Sequence, residues 1–182
     1  LGGGVTPNTR QEAIKALEKL NTKPKKKFTK ASNPFLVLQC PWCAAEFGQV
    51  GYQDASSNPA KAASGYQVGW PSGKRSVIFA CPETKCDFNQ GLPLYVIDED
   101  LYDARPSLVI GTVDKFAMLS WRPSAQRLFG RMGNGQISDS LPPSLIIQDE
   151  FHLISGPLGS MVGHYETVIE DLCTIVKDEI QI

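Results

Sequence analysis

Two constellations in this sequence have residue types and spacings that could do chemistry. The first is a set of cysteines, Cys40-Pro-Trp-Cys43 and Cys81-Pro-Glu-Thr-Lys-Cys86, with 37 residues between the pairs. A C-x-x-C turn sets two thiolates on one knuckle, and a second knuckle completes a tetrahedron around Zn²⁺, each Zn–S bond about 2.3 Å long. Four thiolates close the shell and leave no position for water, so the metal that this pattern calls for is structural. In small fingers zinc binding contributes on the order of 10–16 kcal/mol, enough to fold a loop-rich segment with little core. The second pair has the wider C-x₄-C spacing, and two other chemistries fit the same cysteines. Two disulfides would need an oxidising compartment, and a CPWC redox pair would need a thioredoxin-type βαβ surround. Neither an export signal nor that surround is visible in the sequence, which favours zinc. The fifth cysteine, Cys173, falls on the apolar side of a helical pattern, where a buried thiol is expected.

The second constellation is Ser144-Leu-Ile-Ile-Gln-Asp-Glu-Phe-His152, an apolar run that ends in Asp149 and Glu150, followed by Phe151 and His152. At the carboxyl end of a parallel strand, paired acids stand at the ligand-binding edge of the sheet. There they can hold Mg²⁺, usually through water, and position the water that attacks a γ-phosphate. The plain alternative is a solvated strand end. His164, alone on a helical pattern, reads as a structural or surface histidine.

Several elements must position these groups. Thr9-x-x-Glu12 is a capping box, and Ala13, Ile14, Leu17 and Leu20 follow at helical spacing until Asn21 and Pro24 supply the stop. Phe35–Gln39, Val77–Ala80 and Leu94–Ile97 read as short strands, the first two leading into the cysteine pairs. Between them, residues 48–73 are rich in Gly, Ser, Ala, Asn and Gln and read as a long loop or loose hairpin. Asp98–Ala104 reads as a short acidic helix. Ser107–Gly111 and Ser144–Gln148 read as buried strands. Helices are expected over about 113–121, after Pro123 toward Gly130, and from about Ser160 through Leu172. Strands alternating with helices predict a parallel sheet covered on both faces.

Composition narrows the classes. The 182 residues, 42% of them hydrophobic, suffice for one domain or two small ones. The formal charge of −1 excludes a uniformly basic coat. It averages an uneven chain, however. Residues 1–30 carry eight Lys/Arg against Glu12 and Glu18, or +6, and the remainder carries ten basic and seventeen acidic residues, or −7. The basic run Thr22-Lys-Pro-Lys-Lys-Lys-Phe-Thr-Lys30 reads as a solvated linker, with phosphate binding the sharper alternative. Trp42, Tyr66 and Trp70 pose a similar choice between covering a small core and stacking on unpaired bases. No run of about 18 apolar residues occurs, so no membrane span is expected; a cytoplasmic location follows as the expectation. The first residue is not Met, as in a piece of a longer protein.

Asp149-Glu150-Phe151-His152 resembles motif II, the DExH box, of superfamily 2 helicases. The resemblance implies that Asp149 serves Mg²⁺, Glu150 activates water and His152 couples nucleotide state to a second motor domain. Val109-Ile-Gly-Thr-Val-Asp-Lys115 resembles the family's Thr-Pro-Gly-Arg segment, which grips the nucleic-acid backbone, with Thr112 for the threonine and Lys115 for the arginine. Val113 and Asp114 depart from that pattern. Gly2-Gly3-Gly4 before a helix resembles the glycine doublet that approaches the strand backbone, a role that would fall on Gly3 and Gly4. More closely, residues 1–21 and 94–182, above all 107–121 and 142–170, resemble the helicase subunit of bacterial DISARM anti-phage systems.

That resemblance implies an α/β fold, a partial RecA-like parallel-sheet domain with an inserted zinc ribbon. Residues 1–32 would be the glycine-doublet segment, helix and basic linker, 33–95 the ribbon, and 96–182 the motor segment with the DExH box. The implied function is ATP-dependent movement on DNA, with RNA left open, and with defence-complex subunits as partners. Its cofactors would be structural Zn²⁺ plus Mg²⁺ and ATP in the full-length protein. No G-x-x-x-x-G-K-[ST] occurs, nor a Ser-Ala-Thr motif after the DExH box, so this chain alone is expected to be inactive. The alternative is a non-catalytic zinc-ribbon module, binding nucleic acid or protein, on a degenerate α/β scaffold.

Overall fold

The structure, a computed structural model, describes residues 6–22, 33–48, 64–112, 119, 121–132, 136, 140–149, 159–174, 176–177 and 180–181. The chain forms two compact units, residues 3–106 and 107–182.

In the first unit, helix α1 spans Arg10–Thr22. Its start is the predicted capping box. The Glu12 amide donates to Thr9 Oγ1 at 3.2 Å, while the Glu12 carboxylate accepts from the amides of Asn8 and Thr9 at 3.0 and 3.2 Å. Those amide bonds hold the Glu12 carboxyl below its ordinary range. The stripe Ala13, Leu17 and Leu20 is buried against Phe35, Phe47, Tyr66, Val77, Phe79, Leu92 and Ile97.

The centre of this core is a hairpin. Strands β1 (Tyr66–Gly69) and β2 (Ser76–Phe79) pair antiparallel, from Tyr66 opposite Phe79 to Gly69 opposite Ser76. Phe35, Phe47 and Phe79 surround the Tyr66 ring at 4.8, 5.8 and 5.6 Å between centroids. The buried hydroxyl of Tyr66 accepts from Asn33 Nδ2 at 2.7 Å and donates to the Val37 carbonyl. Asn33 Oδ1 in turn accepts from the Phe35 amide at 2.9 Å. Aromatic packing with every polar tip bonded makes a small core specific.

Helix α2, Asp98–Ala104, falls where the sequence predicts it, with Leu101 and Tyr102 buried. Of the three strands predicted in this unit, Val77–Ala80 forms as β2, and the two that flank the hairpin do not form. Phe35–Gln39 reduces to one antiparallel pairing of Gln39 with Glu46, because Leu36 turns into left-handed space at φ 60°. After Leu92 donates to the Phe79 carbonyl at 2.6 Å, Pro93 has no N–H to continue a ladder, and Leu94–Ile97 stays irregular. Nor do residues 33–95 pack by themselves. The stripe of α1 closes the same core as Phe35 and Phe79.

The second unit holds a 3₁₀ turn at Ala125–Phe129, helix α3 at Gly159–Cys173, and a two-stranded antiparallel pair, β3 (Val176–Lys177) and β4 (Ile180–Gln181). The 3₁₀ turn and α3 fall close to the predicted helices. Arg131 caps the end of α3, donating to the carbonyls of Asp171 and Thr174 at 2.8 and 2.6 Å. The helix expected over 113–121 lies almost wholly outside the described residues.

The predicted buried strands 107–111 and 144–148 need correcting. Neither belongs to a ladder, and their apolar side chains are exposed, Ile110 by 77% and Ile147 by 81%. A strand of a doubly covered parallel sheet gains its stability from neighbours on both edges and helices on both faces. Among the described residues neither run has them. The chain is thus a mixture of helices and short strands, and both described sheets are two-stranded and antiparallel rather than parallel. Among the described residues no helix is long and apolar enough to cross a membrane.

Candidate metal centre

The two cysteine pairs meet. The sulfurs of Cys40, Cys43, Cys81 and Cys86 all lie within 4.8 Å of one another. Cys43 Sγ is 3.4 Å from Cys81 Sγ, and Cys40 Sγ is 3.9 Å from Cys86 Sγ. Four sulfurs about 2.3 Å from a tetrahedral ion stand about 3.8 Å apart, which these separations bracket. A disulfide needs about 2.0 Å, and all four thiols are free. Each close contact joins one knuckle to the other, so the cluster staples chain segments far apart in sequence.

Local backbone chemistry builds the knuckles. In the first, the Cys40 amide donates to the Ala45 carbonyl at 2.8 Å and the Ala44 amide returns to the Cys40 carbonyl at 2.9 Å. The return turn puts Ala44 at φ 61°, left-handed space that a residue with a Cβ enters at a cost of roughly 1–2 kcal/mol. In the second, β2 delivers Cys81, whose amide donates to the Phe88 carbonyl at 2.9 Å. The Cys86 amide reaches Glu83 O at 3.0 Å. Asn89 Nδ2 holds Thr84 O at 2.9 Å.

Charge decides what the cluster wants. Burial raises the Cys40 thiol, but amides of Cys43 and Trp42 and the neighbouring thiols outweigh it and bring it down to about 7. Burial pushes Cys81 up to about 12, and the sulfurs of Cys43, Cys86 and Cys40 add to the rise. The Phe88 amide favours the Cys86 thiolate, yet burial and the Cys43 and Cys40 sulfurs raise it on balance. Four crowded sulfurs cannot all ionise without a cation among them. A divalent, thiophilic ion at the centre reverses that repulsion. The donor set therefore fits zinc, held structurally by Cys40, Cys43, Cys81 and Cys86. Cys173, half-buried on α3, is not one of these four, and burial raises its thiol.

Of the other predicted site residues, two are among the described ones. Asp149 is exposed at the end of the unpaired 144–148 run, and Thr112 is exposed after the 107–111 run. Gly3, Gly4, Lys115, Glu150 and His152 lie outside the described residues.

Sequence reasoning missed the clamp that ties α1 to α2. Arg10 Nε donates to Asp100 Oδ1 at 2.6 Å, and its Nη2 reaches the Glu99 carbonyl at 2.9 Å as well as the Asp103 carboxylate. Lys74 joins Asp103 at 2.8 Å, and Ser76 Oγ donates to the second oxygen of buried Asp100. In the sequence Arg10 counts only toward the basic leader. The available signal was an acidic helix, Asp-Glu-Asp-Leu-Tyr-Asp-Ala, whose acids had to face something.

No family model matches this chain. It is similar to the DISARM protein DrmA of Bacillus paralicheniformis, 34% identical over 169 residues. The match covers 79% of this chain and 14% of that protein, so the chain spans a small part of its relative's length. The likeness supports a DISARM-related family.

Proposed function

We propose that the chain is the central part of the first motor domain of an ATP-dependent DNA helicase or translocase working in phage defence, with residues 3–106 as a zinc-stapled module on it. The observation that carries the reading is 34% identity to a DISARM protein in a chain with Asp149-Glu150-Phe151-His152 after an apolar run. Further subunits of a defence complex are the partners that this reading implies.

Bound Mg²⁺ and ATP would supply the electrophilic γ-phosphate and the energy of its transfer. Asp149 would hold the ion through its carboxylate, and Glu150 would take the proton of the attacking water on a carboxylate oxygen. His152 would report the nucleotide's state to the neighbouring domain. The Thr112 hydroxyl and Lys115 ammonium would meet backbone phosphates, and Gly3 and Gly4 would let that backbone approach closely.

Glu150→Gln in the full-length protein tests this. Removing a general base costs about 10²–10⁴ in turnover, with nucleotide binding retained. Unchanged ATP turnover would refute the motor reading and leave a zinc-ribbon binding module on a non-catalytic scaffold.

A further inference from the structure

The β1–β2 hairpin ends in a tip, Trp70-Pro-Ser-Gly-Lys-Arg75, that the core does not use. Trp70 is 66% exposed. Alternation along β1 and β2 puts Tyr66, Val68, Val77 and Phe79 on one face, and that face packs the core. Trp70 continues it past the core's edge, where Val68 is already 36% exposed. Carrying the pairing one step beyond Gly69 and Ser76 sets Trp70 opposite Arg75. The tip is a tight turn, with Ser72 and Gly73 both left-handed and the amides of Gly73 and Lys74 bonded to Trp70 and Pro71 carbonyls at 3.1 Å. Its root is held as well, through Lys74 on Asp103 and Ser76 on Asp100. Those acids are already engaged by Arg10, whereas Arg75 is exposed and forms no ion pair among the described residues.

We propose that this hairpin tip is a binding site for an unpaired nucleic-acid strand, with a base stacked on the Trp70 indole and the adjoining phosphate met by Arg75. An exposed aromatic face and an exposed cation at the two ends of one tight turn match the two faces of a nucleotide, its apolar base and its anionic phosphate. The other exposed tryptophan of this unit offers less. Trp42 leans edge-on against Phe88 at 5.7 Å, and its knuckles mix Lys85 with Glu46, Glu83 and Asp87. The proposal rests on the helicase reading only for the class of its ligand.

The test uses the zinc-loaded full chain without ATP. The chain has three tryptophans, so Trp42→Phe with Trp121→Phe leaves Trp70 as the sole reporter. Saturable quenching of its emission by oligo(dT) is the expected result, and a parallel titration with oligo(U) separates DNA from RNA. Trp70→Ala should weaken binding roughly 5- to 150-fold, the worth of one stacked base, while Trp70→Phe keeps it within a few-fold. Arg75→Gln should flatten the salt dependence by about 0.7 in log–log slope. Emission unchanged at saturating oligonucleotide, quenching confined to a Trp42-only chain, or wild-type affinity of Trp70→Ala at equal zinc content would each overturn the proposal. Quenching of Trp70 together with a negative Glu150→Gln result would keep this site and discard the motor.

Discussion

Replacing Arg10 by Met should show how strongly the two flanking helices are tied into the unit that carries the cysteine cluster. The Arg10 side chain is 14% exposed, and its main partner Asp100 only 3%. Methionine keeps most of the stem's packing and removes the charge, which leaves Asp100 buried with only Ser76 on its other oxygen. Asp103 loses less, because Lys74 remains at 2.8 Å. Deleting one partner of a buried pair costs about 3–5 kcal/mol. One residual carboxylate partner and a partly exposed guanidinium place this case at the low end, about 3 kcal/mol. With a urea slope of about 1–3 kcal/mol per molar, the midpoint should fall by about 1–3 M. The assay is urea unfolding of the zinc-loaded chain at neutral pH, followed by near-ultraviolet circular dichroism. A double-mutant cycle isolates the charge. Asp100→Asn in the Arg10→Met background should recover at least about 1 kcal/mol, because no uncompensated carboxylate is then buried. Acid supplies a second check. Burial raises the Asp103 carboxyl, but Lys74 and Arg10 outweigh it and hold it below its ordinary range. Its contribution is therefore present above the usual carboxylate pKa of about 4 and is lost as pH falls further. A loss below about 1 kcal/mol, or strictly additive substitutions, would mean that water screens the clamp like an ordinary surface pair and would refute the reasoning.

Two further perturbations probe the core beneath the hairpin. Gly65 sits at φ 85° with its open side against the Phe47 ring, so Gly65→Ala adds a Cβ that overlaps the ring in a conformation alanine disfavours. A loss of at least about 2 kcal/mol is expected in thermal or urea unfolding, and a neutral effect would contradict the packing. Burial pushes Tyr66 up to about 12, although the Asn33 bond opposes the rise. The unfolded chain ionises near 10, so stability should fall by up to about 2.7 kcal/mol between pH 10 and 12. Tyr66→Phe should abolish that alkaline slope and cost about 1–3 kcal/mol at pH 7, because Val37 loses its donor and Asn33 its acceptor. An unchanged alkaline slope in the variant would refute the assignment.

What could be read from the sequence was local. The Thr9–Glu12 box and the 13, 17, 20 stripe are decided within one helical turn or two, and α1 follows them. Val77–Phe79 and Asp98–Ala104 are likewise set by short-range pattern. The clustering of Cys40, Cys43, Cys81 and Cys86 was legible because two close cysteine pairs are the spacing that tetrahedral thiolate coordination calls for. Less legible was everything that depends on distant partners. Arg10 meets its acids 89 to 93 positions away, and periodicity carries no information about that. The same stripe of α1 packs on Phe35 and Phe79, so the division of the chain at residues 32 and 95 does not mark a break in the core. Ser107–Gly111 and Ser144–Gln148 have a strand-like composition, but composition cannot supply the hydrogen-bonding neighbours that make a strand. Leu36 and Pro93 ended two predicted strands for reasons of single-residue backbone chemistry.

That Cys40, Cys43, Cys81 and Cys86 hold one metal ion and thereby organise residues 3–106 is open to direct measurement. X-ray absorption at the zinc edge on the purified full chain, with metal content determined on the same sample, should find one zinc per chain. Its shell should be four sulfurs at about 2.3 Å, with no nitrogen or oxygen neighbour. A metal-free folded chain, a shell that includes light atoms, or four thiols that react as fast as free cysteine in the folded protein would contradict it.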